Sequence, residues 1–271
     1  MTSPAALLRA ELSERARAYA GARSLPYCVS YGEAPTVCFE EFTAKQHGNF
    51  YPASYRRILA NCSWRARLDK VHTTAGRHLP KGENGWRREL DACVSSDALL
   101  MNVFCHAATL RSASVRALLG ADADRSPEFG FRAQVPLGNG RFDRTEVDMR
   151  LGSLLAEAKL TEGDFQRAAK PAVSRYRDFA EVFDRERLPQ SEGEFTSYQL
   201  IRGVLAAQAG QGSYCLLTDA RRPDLIELWY ATLQGVKILD LRLRCRVVTW
   251  QEVARAAPRG LQTFLAEKYG L

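Results

Sequence analysis

The stretch from Thr145 to Leu160 constrains the fold more than any other part of the chain. Thr145-Glu146-Val147-Asp148-Met149-Arg150-Leu151 alternates polar and apolar residues, the period-two pattern of a strand with one buried face. Leu154-Leu155-Ala156-Glu157-Ala158-Lys159-Leu160 reads as a second short strand, and the intervening Gly152-Ser153 predicts a tight hairpin. Glu157 and Lys159 stand two apart and share a face, and a hairpin sets Asp148 opposite them. Two carboxylates of this kind suit Mg²⁺, a hard cation held by one or two protein carboxylates together with phosphate and water. A lysine beside that ion can orient a water or offset charge growing on phosphorus, so the arrangement suits phosphodiester hydrolysis. Charges in so apolar a strand are costly unless paired or metal-bound, and a purely structural Glu157–Lys159 pair would also meet that cost. Glu146, two residues before Asp148, is either a third carboxylate or a rim charge near Arg144.

The rest of the chain supplies a setting for such a hairpin. Residues 4 to 21 predict a helix, and residues 22 to 52 are irregular, punctuated by Pro26, Gly32, Pro35, Gly48 and Pro52. Residues 53 to 70 predict a helix with Tyr55, Leu59, Cys62 and Ala66 at helical spacing, then a basic loop from Thr73 to Trp86. A helical stretch over 88 to 110 is interrupted at Ser95-Ser96, with Ser96 as the expected N-cap. A strand follows over 128 to 134 and precedes the hairpin. Pro171 opens a helix with Val173, Tyr176, Ala180 and Phe183 on its buried face. Then come a helix over 192 to 209, a buried strand over 214 to 219, a helix over 225 to 233 and a strand over 244 to 250. A helix from Gln251, interrupted near Pro258, runs to the end. Strand–helix alternation after a hairpin predicts an α/β fold with a mixed sheet. The expected organisation is a helical and irregular N-terminal extension, residues 1–90, on a core of residues 91–271.

Bulk properties narrow the setting. The 271 residues suffice for a full core, and 46% hydrophobic with 25% charged residues is ordinary for a globular chain. No run predicts a membrane span, and the opening residues lack the basic-then-apolar order of a signal peptide, so a cytoplasmic address is expected. The odd count of seven cysteines, with no CxxC pair, suits free thiols in a reducing compartment. Cys28, Cys38, Cys62, His47, His72 and His78 crowd the first third, but their spacings match no standard zinc pattern. A formal charge of +7 favours polyanionic partners. There is no GxSxG elbow and no Walker A loop.

Two further groups bear on a nucleic-acid substrate. Arg56, Arg57, Arg67 and Lys70 on the helix over 53 to 70, with Arg65, Trp64 and Tyr55 among them, read equally well as a phosphate-contacting face and as a solvated basic face. Gln199 and Arg202 stand three apart and share one helix face.

Asp148 followed by Glu157-Ala158-Lys159 on adjacent strands resembles the PD-(D/E)XK nuclease superfamily. Ser95-Ser96-Asp97-Ala98-Leu99, Tyr198-Gln199-Leu200-Ile201-Arg202 and Thr218-Asp219-Ala220-Arg221-Arg222-Pro223 are similar to a bacterial restriction-endonuclease-like branch of it, over roughly residues 45 to 255. The resemblance implies a restriction-endonuclease-like mixed sheet flanked by helices. It implies a Mg²⁺-dependent endonuclease, with Mn²⁺ as a substitute ion, acting on double-stranded DNA in restriction or another host-defence role. A homodimer and a partner methyltransferase belong to the same expectation. So does a contact of Gln199 with the active site, and an acidic residue on the helix before the strands, for which Asp97, Glu89, Asp91 and the polar Asn102 all compete. The alternatives are a repair or RNA nuclease on the same core, and a catalytically silent nucleic-acid-binding module. The intact Asp148, Glu157 and Lys159 argue against the silent module.

Overall fold

The computed structural model describes residues 2–30, 35–43, 45–71, 79–80, 86–121 and 125–271. Most of the expected basic loop, including His72 and His78, lies outside them. The chain divides into two compact units, residues 1–117 with 250–271, and residues 118–249. This division differs from the expected boundary at residue 90, for a physical reason. Helix Ser96–Phe104 is buried on every side, and it packs with elements that precede residue 90.

In the first unit, α1 (Pro4–Arg23) is capped by Ser3, whose hydroxyl accepts the Ala6 N–H. It runs past Gly21 because Ser24 takes a left-handed conformation (φ 49°) and its N–H closes the last turn. Its buried stripe of Leu8, Leu12, Ala16 and Tyr19 packs on the C-terminal helix Arg259–Tyr269, with Tyr19 edge-on to Phe264 at 5.8 Å. The single helix expected over 53 to 70 is instead two, α2 (Pro52–Ala60) and α3 (Cys62–Arg67). They break at Asn61, which leaves the helical region (φ −112°, ψ 115°) so that its side chain can cap α3 at Trp64 N. The break rotates the buried face: Tyr55, Ile58, Trp64 and Leu68 point inward, while Cys62 and Ala66 are exposed. In α4 (Ser96–Phe104) the cap is Ser95 and not Ser96: the Ser95 hydroxyl accepts the Ala98 N–H. Buried Asn102 on α4 accepts from Tyr51 N–H at 2.6 Å and donates to the Asn49 carbonyl at 3.0 Å, which meets the hydrogen-bonding needs of a polar group inside the core.

The second unit is built on a five-stranded mixed sheet. Its strands are β1 (Glu128–Arg132), β2 (Glu146–Leu151), β3 (Leu154–Ala158), β4 (Ser213–Thr218) and β5 (Cys245–Thr249), in the order β5-β4-β3-β2-β1. β1, β2 and β3 run antiparallel, and β3, β4 and β5 run parallel. The predicted hairpin forms with Leu151 opposite Leu154, and Gly152 supplies the positive φ (60°) that the two-residue turn requires. β3 and β4 are buried at every position, as expected of central strands.

Two helices, α5 (Tyr198–Ala209) and α6 (Pro223–Gln234), pack on the sheet. Gly203 on α5 makes one close contact feasible, since a Cβ there would lie 2.1 Å from the Tyr214 ring. Leu200, Ile201, Val204, Leu205, Tyr214, Leu216 and Trp229 join one hydrophobic cluster. Each fully buried large apolar side chain of this kind contributes about 1.5–3 kcal/mol. Two helical expectations shorten. Residues 192–197 carry a strand, Glu194–Phe195, so α5 begins at Tyr198. The helix after Pro171 is two single turns, Lys170–Val173 and Phe179–Val182; Phe179 takes the buried place expected of Ala180, which is exposed.

Candidate active site

The site forms where β2 and β3 lie side by side. Met149 faces Ala156 across the ladder, and continuing that register sets Asp148 opposite Glu157. The Asp148 carboxylate accepts the Ala158 N–H through Oδ2 at 2.8 Å, which ties it to the neighbouring strand. The backbone of Lys159 stays in the sheet, its N–H donating to the Leu217 carbonyl at 2.8 Å. Glu157 and Lys159 therefore project from the same face, and Lys159 Nζ lies 2.9 Å from Glu157 Oε1. Nζ also donates to Gln199 Oε1 at 2.9 Å, and Gln199 is itself held by a bond from its N–H to the Phe165 carbonyl. The structure thus brings Asp148, Glu157, Lys159 and Gln199 into one place.

Glu157 and Lys159 are 2% and 6% exposed, so neither charge is dissolved in water. Burial by itself would lower the Lys159 pKa; Glu157, then Glu162 and Asp148, outweigh it and raise the group above its ordinary value. The lysine stays an ammonium because three carboxylates face it. The donors suit a hard divalent cation: carboxylate oxygens on adjacent strands, without sulfur or imidazole. Among the described residues no three His, Cys, Asp or Glu side chains group as a metal-ligand set.

Several residues here were missed in the sequence. Glu162, in what reads as a plain loop, accepts the Leu160 N–H at 2.6 Å and adds its charge to the field on Lys159. Arg222 is fully buried and donates to the carbonyls of Leu160 (3.1 Å) and Glu162 (2.7 Å) while pairing with Asp224 at 2.7 Å. It pins the loop that follows the site strand. Its sequence signals were a place beside Pro223, next to a buried strand, and membership of the Thr218–Pro223 stretch that carries the resemblance. Tyr214 is wholly buried, and burial, with Glu157 and Asp148 adding to it, drives its hydroxyl well above the ordinary range. Arg202 donates to the Glu146 carbonyl at 2.9 Å, with its guanidinium 5.7 Å from the Tyr198 ring.

The other predicted residues lie in the first unit. Arg56 and Arg57 are exposed, and Arg57 donates to the Cys105 carbonyl at 2.8 Å. Arg67 and Lys70 correct the expectation of an outward basic face: their side chains are 10% and 19% exposed. Arg67 lies 3.2 Å from buried Asp97, and Lys70 pairs with both Asp97 and Glu89. Burial would raise the Asp97 pKa, but Lys70 and Arg67 hold it below its ordinary value, whereas burial and Asp97 push Glu89 up. Asp97 and Glu89 are thus occupied by cations, Asp91 by His47 (3.1 Å) and Arg88 (3.2 Å), and Asn102 by backbone. His47 is committed to Asp91 and the Asn49 N–H, and among the described residues no His and Cys side chains group as a metal-ligand set.

A mixed five-stranded sheet flanked by helices, with a carboxylate pair and a lysine on its central hairpin, defines a restriction-endonuclease-like protein. The model of the family described as restriction endonuclease associating with ARP matches residues 25–270, and the chain belongs to that family. Family membership makes it a nuclease of the restriction-endonuclease type. No curated protein and no solved structure matches the chain. Among the described residues no helix is long and apolar enough to cross a membrane.

Proposed function

We propose that this chain is a Mg²⁺-dependent endonuclease of the PD-(D/E)XK type that hydrolyses phosphodiester bonds in double-stranded DNA, in restriction or a related host defence. One observation carries the reading: Lys159 Nζ lies 2.9 Å from both Glu157 Oε1 and Gln199 Oε1, on the strand paired with that of Asp148. Asp148 and Glu157 would hold the divalent ion, Mg²⁺ or Mn²⁺ in its place. When bound, the ion supplies polarisation of a phosphoryl oxygen and a more acidic water. Asp148 is oriented by the Ala158 N–H, so its carboxylate is set before substrate arrives. Lys159 brings a fixed positive charge to the place where phosphate charge grows in the transition state, and it needs no reorganisation to do so. Gln199 occupies one lysine donor and fixes the direction of the others. Arg56 and Arg57 remain candidates for contacts to DNA phosphates; Arg67 and Lys70 are already engaged with Asp97. A partner methyltransferase and a homodimer belong to this proposal, and the family description itself names an association with ARP.

Cleavage assays on supercoiled plasmid, linear duplex, single-stranded DNA and RNA test the reading, each with Mg²⁺, with Mn²⁺ and with EDTA. Duplex DNA should be cut only with a divalent ion, and Asp148→Ala should not cut. Parental cutting by Asp148→Ala removes the site assignment, and cutting of RNA alone removes the substrate.

A further inference from the structure

The first unit holds a pocket and a groove that the nuclease reading does not use. The groove encloses about 860 Å³ and is lined by Lys45, Arg56 and Arg65, with Glu41 and Phe42 beside them. The pocket encloses about 340 Å³ and has aromatic walls from Tyr19, Phe50, Tyr51 and Phe264. Phe42 lines both, so the two adjoin. Both volumes fall within or near the range of about 300–1,000 Å³ typical of small-molecule sites.

The chemistry of the two parts differs and is complementary. Among the described residues the side chains of Lys45, Arg56 and Arg65 have no carboxylate or hydrogen-bond partner, in contrast to Arg67 and Lys70 a few residues away. Glu41, the acid of the groove, is fixed by the Tyr55 hydroxyl at 3.0 Å. Three unengaged cations against one engaged carboxylate favour an anion, and arginine's planar fork matches phosphate. Phe42 is 43% exposed, an aromatic face open to a planar group. The pocket behind it offers Gln46 and the Arg23–Glu267 pair (2.5 Å) for hydrogen bonding along a ring edge. Walls of aromatic rings with a few polar groups at the rim suit a nucleobase, and the basic groove next to them suits its phosphates.

We propose that this adjoining pocket and groove bind a nucleoside phosphate, with the base against Phe42 and the aromatic walls and the phosphates on Arg56, Arg65 and Lys45. The ligand is either a free nucleotide or a segment of single-stranded nucleic acid. The site rests on the nuclease reading only through the phosphate role of Arg56, and it uses none of Asp148, Glu157 or Lys159.

The test measures binding to the full chain by fluorescence anisotropy, in Ca²⁺ to suppress cutting. The probes are N-methylanthraniloyl-ADP and a 5′-phosphorylated single-stranded octanucleotide carrying a 3′ fluorophore. At least one probe should bind at micromolar concentration. Phe42→Ala and the double variant Arg56→Ala/Arg65→Ala should each weaken it about tenfold or more, the scale of a lost binding anchor. All three side chains are exposed, and melting curves verify that the variants fold. Binding of the nucleotide identifies a free ligand, and binding of the octanucleotide alone identifies a strand. Failure of both probes at millimolar concentration, or smaller losses in these variants, overturns the proposal. Loss of binding in Asp148→Ala also overturns it, by assigning the probe to the carboxylate site. Failure of the nuclease reading itself would show in the cleavage assay and leave these binding curves unchanged.

Discussion

Lys159 and Lys268 are both buried lysines, 6% and 1% exposed, yet their surroundings drive them in opposite directions. Burial lowers both, but around Lys159 the carboxylates of Glu157, Glu162 and Asp148 reverse the effect. Lys268, in the first unit, has no carboxylate partner among the described residues. Its Nζ donates to the Asn49 carbonyl (2.7 Å), the Asn49 side-chain oxygen and the Tyr269 hydroxyl (3.0 Å), with Phe39, Phe264 and Tyr269 rings around it. Burial carries it well below its ordinary value, opposed only by Cys93. The difference teaches that burial does not decide a lysine's charge; its partners do. One environment sets its lysine among carboxylates, and the other ties its lysine to carbonyl, amide and hydroxyl oxygens as a polar joint.

The comparison breaks most completely if the carboxylates are removed. Asp148→Ala or Glu157→Ala should abolish cleavage, and full activity in either would mean that the charge on Lys159 is not maintained for catalysis. Next in size is Lys159→Ala. A charge that acts mainly in the transition state lowers kcat and leaves binding little changed, by about a hundredfold or more. Parallel DNA-affinity and single-turnover measurements decide this, and equal losses in both would mark a structural partner of Glu157.

Lys268 should behave in the opposite way. Cys93, Tyr269 and His47 are the titratable groups that face it; burial raises the first two and lowers His47, so all three stay neutral near pH 7–8, as their ordinary values of about 8.5, 10 and 6.5 already favour. With its folded pKa below the unfolded value of about 10.4, Lys268 binds fewer protons folded than unfolded between those two values. Stability should therefore rise with pH across that window and fall as pH drops, at up to about 1.4 kcal/mol per pH unit. Lys268→Met should lose this dependence and keep cleavage. Urea unfolding at several pH values checks it, and an identical slope in the variant would show that Lys268 is charged as Lys159 is.

Smaller effects sharpen the contrast. Gln199→Ala should reduce kcat about tenfold, the lower range for loss of a group that orients an active-site residue. Arg56→Ala should change stability by less than about 0.5 kcal/mol, because its side chain is exposed. On duplex DNA it should flatten the slope of log affinity against log salt by about 0.9 if it contacts one phosphate. An unchanged slope would place Arg56 off the duplex path.

By itself the sequence determined the hairpin and what it carries. Period-two alternation around a Gly-Ser turn fixes which side chains share a face, so Asp148, Glu157 and Lys159 were legible as a group from spacing alone. The central strands were legible for a similar local reason, since a short apolar run bounded by turn residues has few alternatives. Gln199 was reachable only through resemblance, because nothing local tells a helix polar group that meets Lys159 from one that meets water. The fates of the cations were decided by tertiary structure. Arg56, Arg67 and Lys70 look alike along the chain, but the break at Asn61 turns Arg67 and Lys70 toward Asp97 and leaves Arg56 exposed. The roles of Arg222 and Lys268 were hidden for the same reason. They depend on carbonyls 60 and 219 residues away, those of Glu162 and Asn49, and electrostatic energies at contact distance are fixed only when the fold brings those groups together.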